Sequence, residues 1–386
     1  MIYFDNAATS FPKPEEVVEA VVGTMTKTGA NPGRSGHTQS VRAGEIVFEA
    51  RRKLAVFFGV KNPMNIIFTS NATEALNLAI KGLLRKGDHV VTTSMEHNSV
   101  IRPLKRLESE GYIDITVLEG DEDGVVSVEE LEQHVKSRTR AFVLNHISNV
   151  TGIVQPLEEL CGFCREKGLI TIADCAQSAG IIPLDMVKDN IDIVCFAGHK
   201  GLYGPTGTGG MVLREGFDHR LIKPLKEGGT GSLSDKEFQP EFMPDVFESG
   251  TLNTAGIAGL SAGIDFINSL PEGLGSVQLH KQTLQKYFID KARKHVPGFI
   301  TQSSPDGYGV VSFVLEGHSV SGITMKLSEK YGIMSRQGLH CAPLAHKRIG
   351  TFPEGTVRFS FSVFNTRQEA DFSIEVLKKI SESADE

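Results

Sequence analysis

The sequence predicts an α/β fold, a mostly parallel seven-stranded sheet with helices on its faces, followed by a smaller α+β domain. Three observations predict it. Seven short apolar runs recur between residues 65 and 214: NIIFTS (65–70), HVVTTS (89–94), IDITVL (113–118), AFVLNHI (141–147), LITIAD (169–174), IDIVCFA (191–197) and GGMVLR (209–214). Runs of this length read as buried strands. Amphipathic segments such as ATEALNLAIKGLLRKG and PLEELCGFCREKG stand between several of them. That alternation suits a parallel sheet, in which each pairing needs a crossover. After about residue 255 the pattern changes. Two helical stretches, AGIAGLSAGIDFINSL and SVQLHKQTLQKYFIDKARKH, lead to strand VVSFVLEG, helix SGITMKLSEKYG, strand TVRFSFS and a final helix. The expected division is a large domain over 16–255 and a small one formed by 1–15 with 256–386. Pieces 29–36 (GANPGRSG) and 228–234 (GGTGSLS) read as loops.

Composition narrows the function classes. The 386 residues suffice for two domains with a large core. A net charge of −7 without a long basic run argues against nucleic acid as a partner. No apolar stretch approaches the roughly 20 residues that span a bilayer, so no membrane partner is expected. The start, MIYFDNAATSFPKP, has an early Asp and no apolar h-region, unlike a signal peptide. A cytoplasmic location is expected. The cysteines are Cys161, Cys164, Cys175, Cys195 and Cys341. Their odd number argues against a disulfide framework. Cys161 and Cys164 form a CxxC without a second Cys or His pair nearby, so they read as helix packing and no metal is expected. Cys195, within IDIVCFA, reads as core. There is no P-loop and no GxGxxG after a strand.

In parallel sheets, ligands bind beyond the carboxyl ends of the strands. The polar residues there are 71–74, 96–98, 148–149, 174–177 and 198–200. Lys200 follows an apolar strand and precedes the glycine-rich turn GLYGPTGTGG, which places its amine in the cleft. Asp174 ends the strand LITIAD, where a buried carboxylate is costly unless paired; capping a following helix AQSAG would be the plainer role. His97, in MEHNS, offers a flat imidazole. Thr73 opens the helix ATEALNLAI, where free amides and a hydroxyl suit a phosphate; plain capping is equally compatible with it. A lysine amine, a carboxylate for a pyridine nitrogen, a flat group and a phosphate cup are what pyridoxal-phosphate chemistry needs.

Taken together, these motifs resemble the class V, fold-type I pyridoxal-phosphate (PLP) enzymes, specifically the group II cysteine desulfurases (SufS/CsdA-like). The resemblance runs through YFDNAAT, TSNATEALNLA, SMEHNSVIRP, NHISNVTG, ADCAQSAG, FAGHKGLYGPTGTGG, FESGTLNT and SRQGLHCAP, nearly the whole chain. It implies the following roles. Lys200 bonds the cofactor as a Schiff base and moves the Cα proton. Asp174 pairs with the pyridine nitrogen, Gln177 contacts the ring hydroxyl and His97 stacks on the ring. Thr73 and His199 hold the phosphate, with Thr251 reaching in from a second subunit of a homodimer. Asn149 and Arg358 bind the substrate carboxylate, an arginine's fork matching it bidentately. Arg336 and His37 line the pocket. Cys341 takes sulfur from L-cysteine as a persulfide, leaving L-alanine, and passes it to an acceptor protein, as in iron–sulfur cluster assembly. Two positions depart from the family pattern: Ala197 replaces a serine and Ala72 a threonine, leaving the phosphate cup fewer hydroxyls and Thr251 more to do. The loop EGGTGSLS departs as well.

The alternative is a class V aminotransferase or β-lyase, selenocysteine lyase included, acting on another small amino acid. A transaminase or β-lyase needs Lys200 and Asp174 but has no use for Cys341. A non-catalytic scaffold would have lost Lys200 or Asp174. The segment SRQGLHCAPLAHKR surrounds Cys341 with Arg336, His340, His346, Lys347 and Arg348, and positive charge favours the nucleophilic thiolate. Gly338 and Pro343 suggest a shaped loop that points the sulfur into the cleft.

Overall fold

The structure is a computed structural model that describes residues 1–33 and 36–383. The chain opens with β1 (Ile2–Tyr3), α1 (Glu15–Lys27) and α2 (Thr38–Phe57). The alternating region follows: β2 (Ile66–Thr69), α3 (Ala72–Leu83), β3 (His89–Thr93), α4 (Asn98–Ser109), β4 (Asp114–Leu118), α5 (Val128–His134), β5 (Thr139–Asn145), α6 (Leu157–Glu166), β6 (Ile170–Asp174), β7 (Ile193–Ala197) and β8 (Gly209–Leu213). These seven strands form one sheet in the order β2-β8-β7-β6-β5-β3-β4. Five of them pair in parallel, and β8 is antiparallel to both β7 and β2, so that β2 points the same way as those five. Each expected strand lies within two residues of its apolar run.

The apolar runs are continuous because the sheet is covered on both faces. Along β5, Phe142 and Leu144 point to one core with Phe58, Leu160 and Phe196. Ala141 and Val143 point to the other with Leu76, Ile80 and Leu104. β7 divides in the same way, with Val194 and Phe196 on the first face and Ile193 and Cys195 on the second. Cys161 and Cys164 are buried in α6, and burial raises both thiols' pKa values. Among the described residues, no helix is long and apolar enough to cross a membrane.

The rest of the chain is α7 (Thr254–Ser269), α8 (Leu274–His295), β9 (Phe299–Thr301), β10 (Val310–Leu315), α9 (Val320–Tyr331), β11 (Ile333–Met334), β12 (Arg336–Gly338), α10 (Pro343–Arg348), β13 (Thr356–Ser360) and α11 (Arg367–Ser381). A four-stranded sheet, β12-β13-β10-β9, packs over Phe288, Phe313, Phe359 and Phe361. The N-terminus joins this unit: β1 pairs with β11, and Phe4 lies in its core. Helix α7 falls on the small-domain side of the expected division at 255, yet its Ile257, Leu260 and Ile264 pack into the large-sheet core beside Leu54.

Candidate active site

At the carboxyl ends of the parallel strands lies a cavity of about 80 Å³ whose walls include Thr73, His97, Asn149, Asp174, His199 and Lys200. Two loops meet there backbone to backbone. Gly180 has φ +81°, and a Cβ on it would sit 2.2 Å from the carbonyl oxygen of Gly201. A Cβ on Gly201 would sit 2.4 Å from the Ala179 carbonyl oxygen. This close approach, open only to glycine, sets the loop after Asp174 against the loop after Lys200.

Asp174 is 5% exposed, and its Oδ1 accepts the Ala176 amide at 2.9 Å. No helix follows it; residues 176–180 form a turn, so helix capping is not its role. Burial raises its pKa, opposed by the Ala176 amide and the Lys200 charge. The pKa of Lys200 is lowered to about 8 by burial, which outweighs the attraction of Asp174 and is helped by Arg358 and Arg336. A free amine is therefore accessible near neutrality.

His97 is the N-cap of α4, and its Nδ1 accepts the Ser99 amide at 3.1 Å. Burial, then Lys200, Arg336 and Arg358, lower its pKa to about 4, so the ring is a neutral, flat wall. Ser99 is a site residue that the sequence did not single out. Its hydroxyl lies 2.9 Å from His97 Nδ1 and 2.7 Å from Thr73 Oγ1, tying the ring wall to the start of α3. Asn71 caps α3 through its side chain, so Thr73 is free of that duty. Ala72, Ala176 and Ala197 form an apolar patch on the same wall. Gln177 donates to the Ala7 carbonyl at 2.9 Å. The His199 carbonyl accepts from the Ser10 amide, Thr9 and Lys13, while its Nδ1 is buried without a partner. Segment 7–13 thus straps the small-domain side to the cavity.

The second group of residues joins the loop after β5 to the four-stranded sheet. Arg358, 1% exposed, donates from Nη1 to the Asn149 carbonyl and from Nη2 to Asp5 Oδ1, both at 2.9 Å. Its Nε is buried and has no partner among the described residues. Asp5 is a second residue that the sequence did not single out. Arg336 and Arg358 are direct cross-strand partners on β12 and β13. The Asn149 amide nitrogen, expected to face a substrate carboxylate, donates instead to the His340 carbonyl at 2.6 Å. His340 and Cys341 both take left-handed backbone conformations, φ +46° and +60°, and the Cys341 carbonyl accepts the Asn98 amide at 2.7 Å. The turn leaves Cys341 exposed, with Sγ 3.5 Å from Arg336 Nη2.

The basic surroundings expected of Cys341 reduce to that one contact. Burial pushes the pKa of His340 down, and that of His346 to about 4, so both are neutral. Lys347 lies over the Phe352 ring, and Arg348 donates to the Gly120 and Asp121 carbonyls. Sequence proximity placed these cations near the sulfur, but the fold turns them to other partners.

Two expected site residues stand apart from this cavity. His37 is the exposed N-cap of α2, its Nδ1 accepting the Ser40 amide. Thr251 is exposed and lines a separate cavity of about 160 Å³ with Glu74, Lys226 and Asn253.

The cavity fits pyridoxal phosphate. It presents a lysine of lowered pKa, a buried carboxylate, a neutral imidazole wall, an orphaned His199 nitrogen and the amino-terminal end of α3. The amides of Ala72 and Thr73 take no partner among the described residues.

The model of the aminotransferase class-V family matches residues 2–372. A probable cysteine desulfurase of Methanothermobacter thermautotrophicus is 34% identical over 384 residues, covering 98% of this chain and 94% of the relative. The apo structure of a cysteine desulfurase from Thermococcus onnurineus superposes with a TM-score of 0.91 at 34% identity, covering 98% of this chain and 94% of that one. The cysteine desulfurase CsdA (S-sulfonic acid) from Escherichia coli superposes with a TM-score of 0.86 at 27% identity, covering 98% and 94%.

Proposed function

The chain belongs to the class-V aminotransferase family, and from that premise we propose that it is a pyridoxal-phosphate-dependent cysteine desulfurase that moves sulfur from L-cysteine to Cys341. The observation that carries this reading beyond the family is the Cys341 turn. It is an exposed thiol on a left-handed turn, in contact with one arginine whose cross-strand neighbour is another. A transaminase or β-lyase has no use for that device. The curated relatives named as cysteine desulfurases support the same reading.

When bound, the cofactor supplies a carbonyl carbon for amine exchange and a ring that stores the electrons of the substrate's Cα–H bond. The chain's residues do the rest. Asp174 holds its negative charge where a ring nitrogen would be protonated. His97 would wall one face of the ring. Lys200 Nζ, free as an amine near pH 8, takes the Cα proton and returns it. Arg358 Nε and Arg336 are the cations for the substrate carboxylate. The Cys341 sulfur attacks the substrate sulfur; an S–S bond forms as the Cβ–S bond breaks, and protonation of the carbon fragment leaves alanine. The phosphate cup around Thr73 and His199 has alanines at 72 and 197, and Thr251 of a second copy completes it in a homodimer. His37 reaches the pocket in the same assembly. The persulfide then passes to an acceptor protein.

The test is to incubate purified protein with L-cysteine and measure alanine and sulfide together. Equal amounts in the presence of a thiol reductant are expected. Pyruvate in place of alanine would favour the β-lyase reading, and mercaptopyruvate without sulfide the transaminase reading.

A further inference from the structure

Glu96 precedes His97 in MEHNS and lies beyond the end of β3, fully buried at 0% exposure. One of its oxygens is well used. Oε1 accepts the Thr93 hydroxyl at 2.7 Å and the Asn145 amide at 2.8 Å. The other, Oε2, is buried without a partner among the described residues. Asn145 has the same defect: its Nδ2 donates to the Met95 carbonyl, and its Oδ1 is buried and unpartnered. Two residues already bonded to each other thus carry two orphaned acceptors. Two acceptors cannot satisfy one another, but a proton on one of them turns it into a donor.

The charges around Glu96 point the same way. Asn145 is the register partner of Asp174 on β6, and both line the cavity. Asp174 is the charged group that bears on Glu96, and its charge is of like sign. His97, on the same turn, is neutral, and the Lys200 charge bears on Asp174. An ionised, fully buried carboxylate with one empty oxygen and an anion for a neighbour is a costly arrangement. When two carboxylates share a site, one is kept neutral.

We propose that Glu96 is held as a neutral carboxylic acid, its proton on Oε2 turned to Asn145 Oδ1, and that it acts as a positioning residue for Asp174. The bond keeps Asn145 and the end of β5 fixed beside Asp174. The missing charge leaves Asp174 as the anion behind the cavity, with the Ala176 amide and Lys200 to hold it ionised. Burial pushes Glu96 up to about 8, consistent with that state at neutral pH. The protonation of Glu96 is a property of the apoprotein; only its service to a ring nitrogen rests on the proposed function.

Glu96→Gln tests it, because the amide copies the neutral acid in shape and donor pattern. A carboxyl whose folded pKa is raised loses stability as pH rises from its unfolded value toward its folded one. The variant has no such loss. Thermal unfolding of both apoproteins from about pH 5 to about pH 9 should therefore show the variant gaining on the wild type by several degrees, with the gain levelling off near pH 8. A constant difference, a difference of opposite slope, or a variant that does not fold would overturn the proposal. Added pyridoxal phosphate should bind the two apoproteins with affinities within about threefold, since no charge near Asp174 has changed. A change beyond tenfold would show that Glu96 is ionised and end the idea. Failure of the desulfuration assay would leave the thermal comparison standing.

Discussion

Around Lys200, side chains arrive from the ends of buried strands, and the loops that carry them lock together through Gly180 and Gly201. Around Cys341, the side chain stands exposed between β12 and α10 on two consecutive left-handed residues. A left-handed non-glycine residue costs on the order of 1–3 kcal/mol and persists only where its surroundings impose it. Here the Asn98 amide, the Asn149 side chain and Arg336 impose it. One region is held by the core of the fold, the other by a few polar contacts between separate elements. A desulfurase needs both properties: a rigid seat for proton transfer from Cα, and an accessible sulfur that can take its load and pass it on.

If the two regions are separable in this way, substitutions should divide by region. Lys200→Ala has the largest effect: activity with L-cysteine falls to background, and borohydride no longer traps a cofactor adduct on the peptide that contains residue 200. An adduct on another lysine with activity retained would break the assignment of the cradle. Asn149→Ala comes next. It removes the Nδ2 bond to His340, roughly 1–2 kcal/mol including release of the turn, so persulfide formation slows about 5- to 30-fold. The absorbance of the bound cofactor should stay at its wild-type position, because the cradle does not depend on that bond. A shifted cofactor spectrum would show that the regions are coupled. Thr251→Ala acts on the cofactor and not on the turn. The loss of one hydrogen bond to a charged group, about 1.5–3 kcal/mol, weakens cofactor retention at least several-fold in equilibrium dialysis. Unchanged retention, or a fully active monomer by light scattering, would remove the second copy from the site.

The cradle was legible in the sequence because parallel strands are continuous apolar runs and because chemistry in such sheets falls at their carboxyl ends. Lys200, Asp174, His97 and Thr73 were found on that rule, and the structure brings them into one cavity. Partners joined by long-range contacts were not legible. Asp5 meets Arg358 across 353 positions and Ser99 meets Thr73 across 26, and neither carries a local signal. The short strands β1, β9, β11 and β12 escaped notice because two or three residues establish no period. Helix α7 was expected in the small domain because its sequence continues into α8, whereas its apolar face is buried against α2 in the large-sheet core. Around Cys341 the sequence overstated the positive charge, because backbone carbonyls, an aromatic ring and burial claim four of the five basic side chains.

The most direct test of the account is where sulfur goes. After mixing with L-cysteine, mass spectrometry of the digested protein should find one extra sulfur on the peptide containing Cys341. Cys341→Ser should keep the cofactor absorbance, because the cradle is intact, and release almost no sulfide. Normal alanine and sulfide production by the serine variant, or the extra sulfur on another cysteine, would contradict it.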